Sequence, residues 1–193
     1  MVYVILSKII GKILRIGCHQ PYDREAFFAP ERFYRMIWKT ARLVFTVSIC
    51  LAVGYVGSMT TRESVTGWYA GLAKPVFAPP GWVFGLVWTV LYVMMGAAAF
   101  LVWERGVRNR EVRIGLELFV LQLVLNALWT PLFFRLHWVG TALVEMVVLW
   151  AVLGMTVRQF WRVRKAAGIL LLPYLGWVGF AIALNGAIWY LNR

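Results

Sequence analysis

Long runs of apolar residues, separated by short polar or basic segments, fill the chain from residue 41 onward. Each run is long enough to cross the hydrocarbon core of a bilayer, which takes about 20 apolar residues of helix. The apolar positions are continuous rather than alternating, which favours membrane-spanning helices over the strands of a barrel. The pattern therefore predicts five spanning helices, at residues 41–60, 82–104, 114–134, 138–158 and 166–190.

The first 40 residues have a different pattern. Apolar positions in residues 1–16 follow helical spacing, with Lys8, Lys12 and Arg15 on the opposite face, as in an amphipathic helix at an anionic membrane surface. A frayed tail is an equally good interpretation, and Gly17–Pro30 is predicted to be a linker. The predicted organisation is an N-terminal amphipathic and basic extension, residues 1–40, followed by a five-helix membrane domain, residues 41–193.

Composition narrows the class of protein. The chain is 62% hydrophobic and 15% charged, whereas a soluble domain has about 45–50% apolar and about 25% charged residues. The net charge of +12 does not indicate nucleic-acid binding, because the basic residues lie between apolar runs, as topology signals do. Cys18 and Cys50 have neither the spacing nor the setting of a disulfide or a zinc site, and we predict no metal.

The distribution of the 20 Lys and Arg residues predicts the orientation. Eight precede the first helix, four follow the second and four follow the fourth, so five spans place these sixteen on one side. The other four lie on the opposite side: Arg62, Lys74, Arg135 and Arg193. Since positive residues concentrate in the cytoplasm, we expect a cytoplasmic N terminus and an external C terminus.

Several helices carry aromatic or amide side chains on one face, at steps of three or four residues. The loop before the second helix adds Trp68 and Tyr69 between glycines and prolines. The amides could join helices by hydrogen bonds, or the whole set could line a shared apolar cavity of the kind that binds ligands. The set comprises Trp88 and Tyr92 in the second helix, Gln122, Asn126 and Trp129 in the third, and Trp177, Ala181 and Asn185 in the fifth.

The sequence gives little support for catalysis or proton-coupled transport. Glu145 in the fourth helix is open to three interpretations: a protonated acid, a hydrogen-bond partner or part of a proton path. His19 and His137 lie outside the predicted helices, and no nucleophile–base set, metalloprotease motif or phosphate-binding loop is visible.

Three sequence blocks carry a resemblance to a known family. They are WYAGLAKPVFAPPGWVFGLVWTVLYVMMG at Trp68–Gly96, QLVLNALWTPLFF at Gln122–Phe134 and PYLGWVGFAIALN at Pro173–Asn185. In this order, on three helices, they resemble the translocator protein and tryptophan-rich sensory protein (TspO/MBR) family. The resemblance covers about residues 42–191 and leaves residues 1–41 outside it.

This resemblance implies an all-α integral membrane protein, a five-helix bundle that encloses a ligand pocket and forms a homodimer. It implies a receptor or regulator that binds porphyrins and other flat lipophilic molecules, with no resident cofactor. The alternatives are a light-dependent porphyrin-degrading enzyme that uses Trp88 and Trp177, or a transporter of tetrapyrrole or sterol. Gly186, where the mammalian sterol motif has tyrosine, argues against sterol transport. The ligand-binding residues carried over are Tyr69, Trp88, Tyr92, Gln122, Asn126, Trp177 and Ala181.

The charge pattern also bears on location, since a strong positive-inside bias favours a bacterial cytoplasmic membrane over a mitochondrial outer membrane.

The predicted topology of the chain can be tested directly. Reporters fused after Arg193 should be active only outside the cytoplasm, and reporters fused after Arg110 only inside it. A cytoplasmic C terminus would contradict the five-span prediction.

Overall fold

The computed structural model describes residues 24–193, without the side chains of residues 24–32, 60, 62 and 63. The predicted amphipathic helix within residues 1–16 lies outside this range. The chain divides into two units, residues 1–38 and residues 39–193. The second unit holds the helix bundle.

The described residues form long α-helices, as the apolar runs predict. Five are long and apolar enough to cross a membrane, the first over Phe33–Met59, and the described part of the chain contains no strand. The predicted fold class, an all-α membrane protein with five spanning helices, is confirmed. The helices are α1 (Arg24–Thr66), α2 (Gly81–Trp103), α3 (Arg110–Phe134), α4 (Val139–Val163) and α5 (Lys165–Leu191).

The linker prediction is wrong for its second half. Helix α1 begins at Arg24, so residues 24–30 are helical and the first helix is much longer than residues 41–60. Glu25, Ala26 and Ala29 favour helix, and Pro30 removes one backbone donor from a long helix.

Helix α4 ends at Val163, beyond the predicted end at residue 158. The last turn is helical because its polar side chains have partners or can reach the interface. Gln159 Nε2 donates to the Glu111 carbonyl at 3.1 Å, and an arginine such as Arg162 can extend its charged group to the headgroup region.

The arrangement of the bundle follows from which helices touch. Helix α4 packs between α3 and α5, while α2 packs against α5 and α3. The core between them is apolar and well covered, with Met95, Ala98, Val102, Phe160 and Leu171 all at 0% exposure. One end of the bundle carries Glu104, Arg110 and Arg164, and is called the basic end. The other carries the α1–α2 loop and the last turn of α5, and is called the loop end.

Helix α1 approaches α2 at two glycines. A Cβ built on Gly96 would lie 2.5 Å from the Val47 Cα, and one on Gly54 would overlap the Tyr92 ring. Only a residue without a side chain permits backbones to pass this closely. The glycines therefore set the distance between α1 and α2.

The same two helices are joined at the basic end by charge. Glu104 pairs with Lys39 at 3.4 Å and with Arg42 at 3.2 Å. The Arg42 guanidinium also lies 5.7 Å from the centre of the Trp103 ring. These contacts place the basic residues of α1 beside the end of α2.

At the loop end, the backbone of the α1–α2 loop is hydrogen-bonded to a side chain that follows α5. Residues Trp68–Gly71 form a 3₁₀ turn. The Ala73 N–H donates to Asn192 Oδ1, and Asn192 Nδ2 donates back to the Ala73 carbonyl, both at 2.9 Å. This pairing positions the loop over the ends of the helices.

We predict that Gly96→Ala destabilises the bundle, because the added methyl meets the α1 backbone rather than a flexible side-chain tip. Overpacking of this kind costs about 1–3 kcal/mol. Gly154→Ala is the matched control, since nothing lies within 4 Å of a Cβ there. Thermal unfolding in detergent, followed by circular dichroism, should show a lower midpoint for Gly96→Ala only. Equal midpoints would contradict the close approach.

Candidate ligand-binding site

Three aromatic side chains and one amide meet at the centre of the bundle. The Tyr92 hydroxyl donates to Asn126 Oδ1 at 2.6 Å, and Asn126 Nδ2 donates to the Tyr174 hydroxyl at 3.0 Å. The Trp88 ring centre lies 5.6 Å from that of Tyr92 and 6.0 Å from that of Tyr174. Helices α2, α3 and α5 are thereby linked by one hydrogen-bonded chain with an aromatic wall beside it.

An apolar groove runs along the membrane-facing side of α2 and α5. Its volume is about 460 Å³, within the range of small-molecule sites. Trp177 forms part of the wall, with its ring centre 5.7 Å from Phe84 and 5.3 Å from Phe180. The full lining is Leu86, Val87, Val90, Leu91, Met94, Pro173, Gly176, Trp177 and Phe180. The lining is almost entirely apolar, and Trp177 and Phe180 are its two aromatic members.

Some buried polar atoms near this region have no partner within the described chain. They include Nε1 of Trp177 and both amide atoms of Gln122, whose side chain is 0% exposed. Buried polar groups are nearly always hydrogen-bonded, and an unpaired one costs about 1–3 kcal/mol. A bound water or a polar atom of a ligand would satisfy them.

Tyr69 lies apart from this centre. Its ring packs against Phe133 at 6.1 Å and Phe134 at 5.6 Å, and Lys74 Nζ lies 4.8 Å above it. Burial raises the pKa of the Tyr69 phenol, so the hydroxyl stays protonated and able to donate at neutral pH. Next to it, Trp68 stacks on His137 at 4.0 Å. The loop thus contributes an aromatic cover at the loop end.

The structure separates the seven sequence-predicted binding residues into three groups. Trp88, Tyr92 and Asn126 meet at the centre, whereas Tyr69 lies at the loop end. Of the remaining three, Trp177 lines the groove, Gln122 is fully buried, and Ala181 is partly buried against the core. Contact of these residues with a ligand stays a prediction, as does a catalytic role for Trp88 and Trp177.

Sequence reasoning missed Tyr174, which is 0% exposed and completes the central chain of hydrogen bonds. The signal was present, because Tyr174 precedes Trp177 by three residues and so shares its face. Phe180, which lines the groove, and Phe84, which packs against Trp177, were missed for a different reason. An apolar run does not show which of its aromatic residues face other helices rather than lipid.

We predict that Tyr174→Phe lowers stability, since it leaves Asn126 Nδ2 without an acceptor in an apolar interior. The expected loss is about 0.5–2 kcal/mol, the range found for hydrogen bonds between membrane helices. Tyr190→Phe is the control, because Tyr190 is 65% exposed. Thermal unfolding of both variants in the same detergent checks this, and equal midpoints would mean that the hydrogen bond contributes nothing.

Comparison with known proteins agrees with this architecture. The chain is 43% identical over 150 residues to the tryptophan-rich protein TspO of Chlorobaculum tepidum, covering 78% of this chain and 95% of that protein. It is 44% identical over 151 residues to the corresponding protein of Archaeoglobus fulgidus, covering 78% and 97%. Identity to the human translocator protein is 39% over 140 residues, covering 72% and 83%. Residues 46–191 match the TspO/MBR family, and the chain belongs to that family.

Proposed function

We propose that this protein is a membrane receptor or regulator that binds porphyrins and similar flat lipophilic molecules. The observation that carries the proposal is the groove between α2 and α5, where Trp177 lines the wall. One turn away on the same helix, Tyr174 meets Trp88 and the hydrogen bond from Asn126. A flat ring entering from the bilayer would therefore meet aromatic faces first and polar atoms behind them.

Recognition of the ring itself, rather than of a central metal, fits the side chains present. Haem proteins supply an axial ligand such as His, Cys, Met or Tyr. His137 lies in an exposed loop, Cys50 and Met95 are fully covered by the core, and the Tyr92 hydroxyl is engaged with Asn126. Of these, Met94 alone lines the groove, and the other groove residues have no side chain that ligates haem iron, so no pair of axial ligands is present there. The expected affinities for haem and for metal-free protoporphyrin are therefore similar.

The proposed setting is a bacterial cytoplasmic membrane, with the basic end of the bundle facing the cytoplasm. The structure gathers basic residues at that end. Lys39 and Arg42 lie beside Glu104, Arg110 is the first residue of α3, and Arg164 directly follows the last residue of α4. Concentration of positive charge on one side of five spans supports this orientation.

We predict that Trp177→Ala weakens binding of metal-free protoporphyrin by tenfold or more. Tenfold is about 1.4 kcal/mol, and stacking on one aromatic is worth roughly 0.5–1.5 kcal/mol beyond the area that it buries. Quenching of tryptophan fluorescence by added protoporphyrin measures the affinity. Haem should bind to the native protein about as tightly as the free base, and Trp177→Ala should weaken both to the same extent.

Trp138→Ala is the control for this experiment, because Trp138 is 57% exposed, directly precedes α4 and is not one of the groove residues. Its affinity should equal that of the native protein. Unchanged affinity in Trp177→Ala would contradict the proposed site. Haem binding a hundredfold tighter than the free base would contradict recognition by the ring and indicate an iron ligand.

The enzyme alternative has one observation in its favour, since Trp177 lines the groove and Trp88 lies at the aromatic centre behind it. Illumination of the purified complex separates the two functions. A receptor returns its porphyrin chemically unchanged, as mass spectrometry would show, whereas a degrading enzyme does not. Saturable flux of porphyrin into protein-containing liposomes would identify a transporter.

A further inference from the structure

A shallow pocket of about 380 Å³ lies on the outer face of α3 near the basic end. Most of its lining belongs to α3, and Val107 in the α2–α3 loop forms the remaining wall. The lining residues are Val107, Arg113, Leu116, Glu117 and Val120. None of them lines the α2–α5 groove or belongs to the aromatic centre. The pocket is therefore a separate feature of the molecule.

The wall formed by Val107 is shaped by backbone turns in the α2–α3 loop. The Gly106 N–H donates to the Trp103 carbonyl at 2.9 Å, and the Asn109 N–H donates to the Gly106 carbonyl at 3.1 Å. Gly106 has a φ of 90°, which glycine adopts without a steric penalty. The chain itself therefore holds Val107 beside the start of α3.

The pocket lies where the polar beginning of α3 gives way to its apolar part. Arg113 and Glu117 are the fourth and eighth residues of the helix, and both are exposed. Exposed apolar residues then continue along the helix at steps of four, at Val120, Val124 and Leu128. A charged surface that passes into an exposed apolar one matches a phospholipid, whose headgroup is followed by acyl chains.

The two charges of the pocket do not neutralise each other. The ion pairs of the described residues join Lys39 and Arg42 to Glu104, and they leave Arg113 and Glu117 without a charged partner in this part of the chain. A cation one turn before a carboxylate is the less favourable order for a pair on one helix. The pocket thus offers one cation and one anion separately to a molecule at the membrane surface.

A zwitterionic phospholipid headgroup complements this pair of charges. Arginine binds phosphate through its fork of N–H donors, and a carboxylate accepts N–H bonds from an ammonium. The primary ammonium of phosphatidylethanolamine has N–H groups to donate, whereas the quaternary ammonium of phosphatidylcholine has none. An acidic headgroup would bring net negative charge beside Glu117. The pocket therefore favours phosphatidylethanolamine over both other classes.

We propose that this pocket is a binding site for phosphatidylethanolamine in the leaflet at the basic end. Arg113 donates to the lipid phosphate, and Glu117 accepts from the primary ammonium. One acyl chain packs against Leu116 and Val120 and continues along the exposed apolar side of α3. This site is independent of porphyrin binding, which uses the groove and the aromatic centre.

Competition among lipids tests the proposal. The native protein is reconstituted in nanodiscs with equal amounts of dioleoyl phosphatidylethanolamine, phosphatidylcholine and phosphatidylglycerol, and is then released into a mild detergent. Native mass spectrometry counts the lipids that stay bound. Phosphatidylethanolamine should be retained about threefold or more over each of the other two, which is the scale of an exposed ion pair.

Two outcomes of this competition would overturn the proposal. Equal retention of the three lipids would show that the headgroup is not recognised. Preferential retention of phosphatidylglycerol would show that the basic end attracts negative charge and that the ammonium has no part in binding.

Two substitutions separate the roles of the charges. Glu117→Gln should remove the preference for phosphatidylethanolamine over phosphatidylcholine, because the negative charge that attracts the ammonium is gone. Arg113→Gln should lower the retention of both lipids, since both carry the phosphate. A preference that survives Glu117→Gln would overturn the assignment of the ammonium to that carboxylate.

Matched controls come from the same end of the bundle. Glu104→Gln removes a carboxylate, and Arg158→Gln removes an exposed guanidinium, from residues that do not line the pocket. Both variants should keep the lipid preference of the native protein. Porphyrin affinity should be unchanged in Glu117→Gln, so failure of porphyrin binding and failure of this proposal are separate results.

Stepwise methylation of the headgroup provides a test on the native protein alone. Retention should fall from phosphatidylethanolamine through its N-methyl and N,N-dimethyl derivatives to phosphatidylcholine. Each methyl group removes one N–H donor, while the phosphate and the acyl chains stay the same. Retention that does not change across the series would also overturn the proposal.

Discussion

The arrangement of this bundle depends on Asn126, whose one amide accepts from Tyr92 and donates to Tyr174. In a bilayer the hydrophobic effect does little to hold helices together, because lipid tails are as apolar as leucine. Polar groups that find partners across helices are therefore what select one arrangement from many. Asn126 on α3 reaches both α2 and α5, so one residue fixes the positions of three helices and of the aromatic wall beside them.

Close packing fixes the position of α1, as hydrogen bonding fixes the positions of α2, α3 and α5. Gly54 and Gly96 allow α1 and α2 to approach until backbone meets side chain or backbone. The Tyr92 ring that fills the space at Gly54 is the same ring that donates to Asn126. The position of α1 is thus coupled to the aromatic centre through one side chain, and Glu104 repeats the connection at the basic end.

Features decided by neighbouring residues could be predicted from the sequence, whereas contacts between residues far apart in the chain could not. Continuous apolar runs predict the five spans, because length and composition decide membrane insertion locally. The start of α1 was not predictable from the apolar runs. A helix that continues outside the membrane keeps its backbone hydrogen bonds, but its side chains no longer need to be apolar. Spacing of four residues identified Trp88 and Tyr92 as neighbours. It could not place Tyr69 against Phe133 and Phe134, because that contact depends on how the loop folds back.

The pairing of Ala73 with Asn192 has a consequence for the order in which the protein is made. The two residues are 119 positions apart, so the loop that follows the first helix leaves the ribosome long before its partner exists. During synthesis this loop is without that partner while four more helices, α2 to α5, enter the bilayer. Its final shape forms only when the end of α5 arrives. The pairing of Ala73 with Asn192 is therefore among the last contacts of the bundle to form, and a chain that ends prematurely within α5 lacks it.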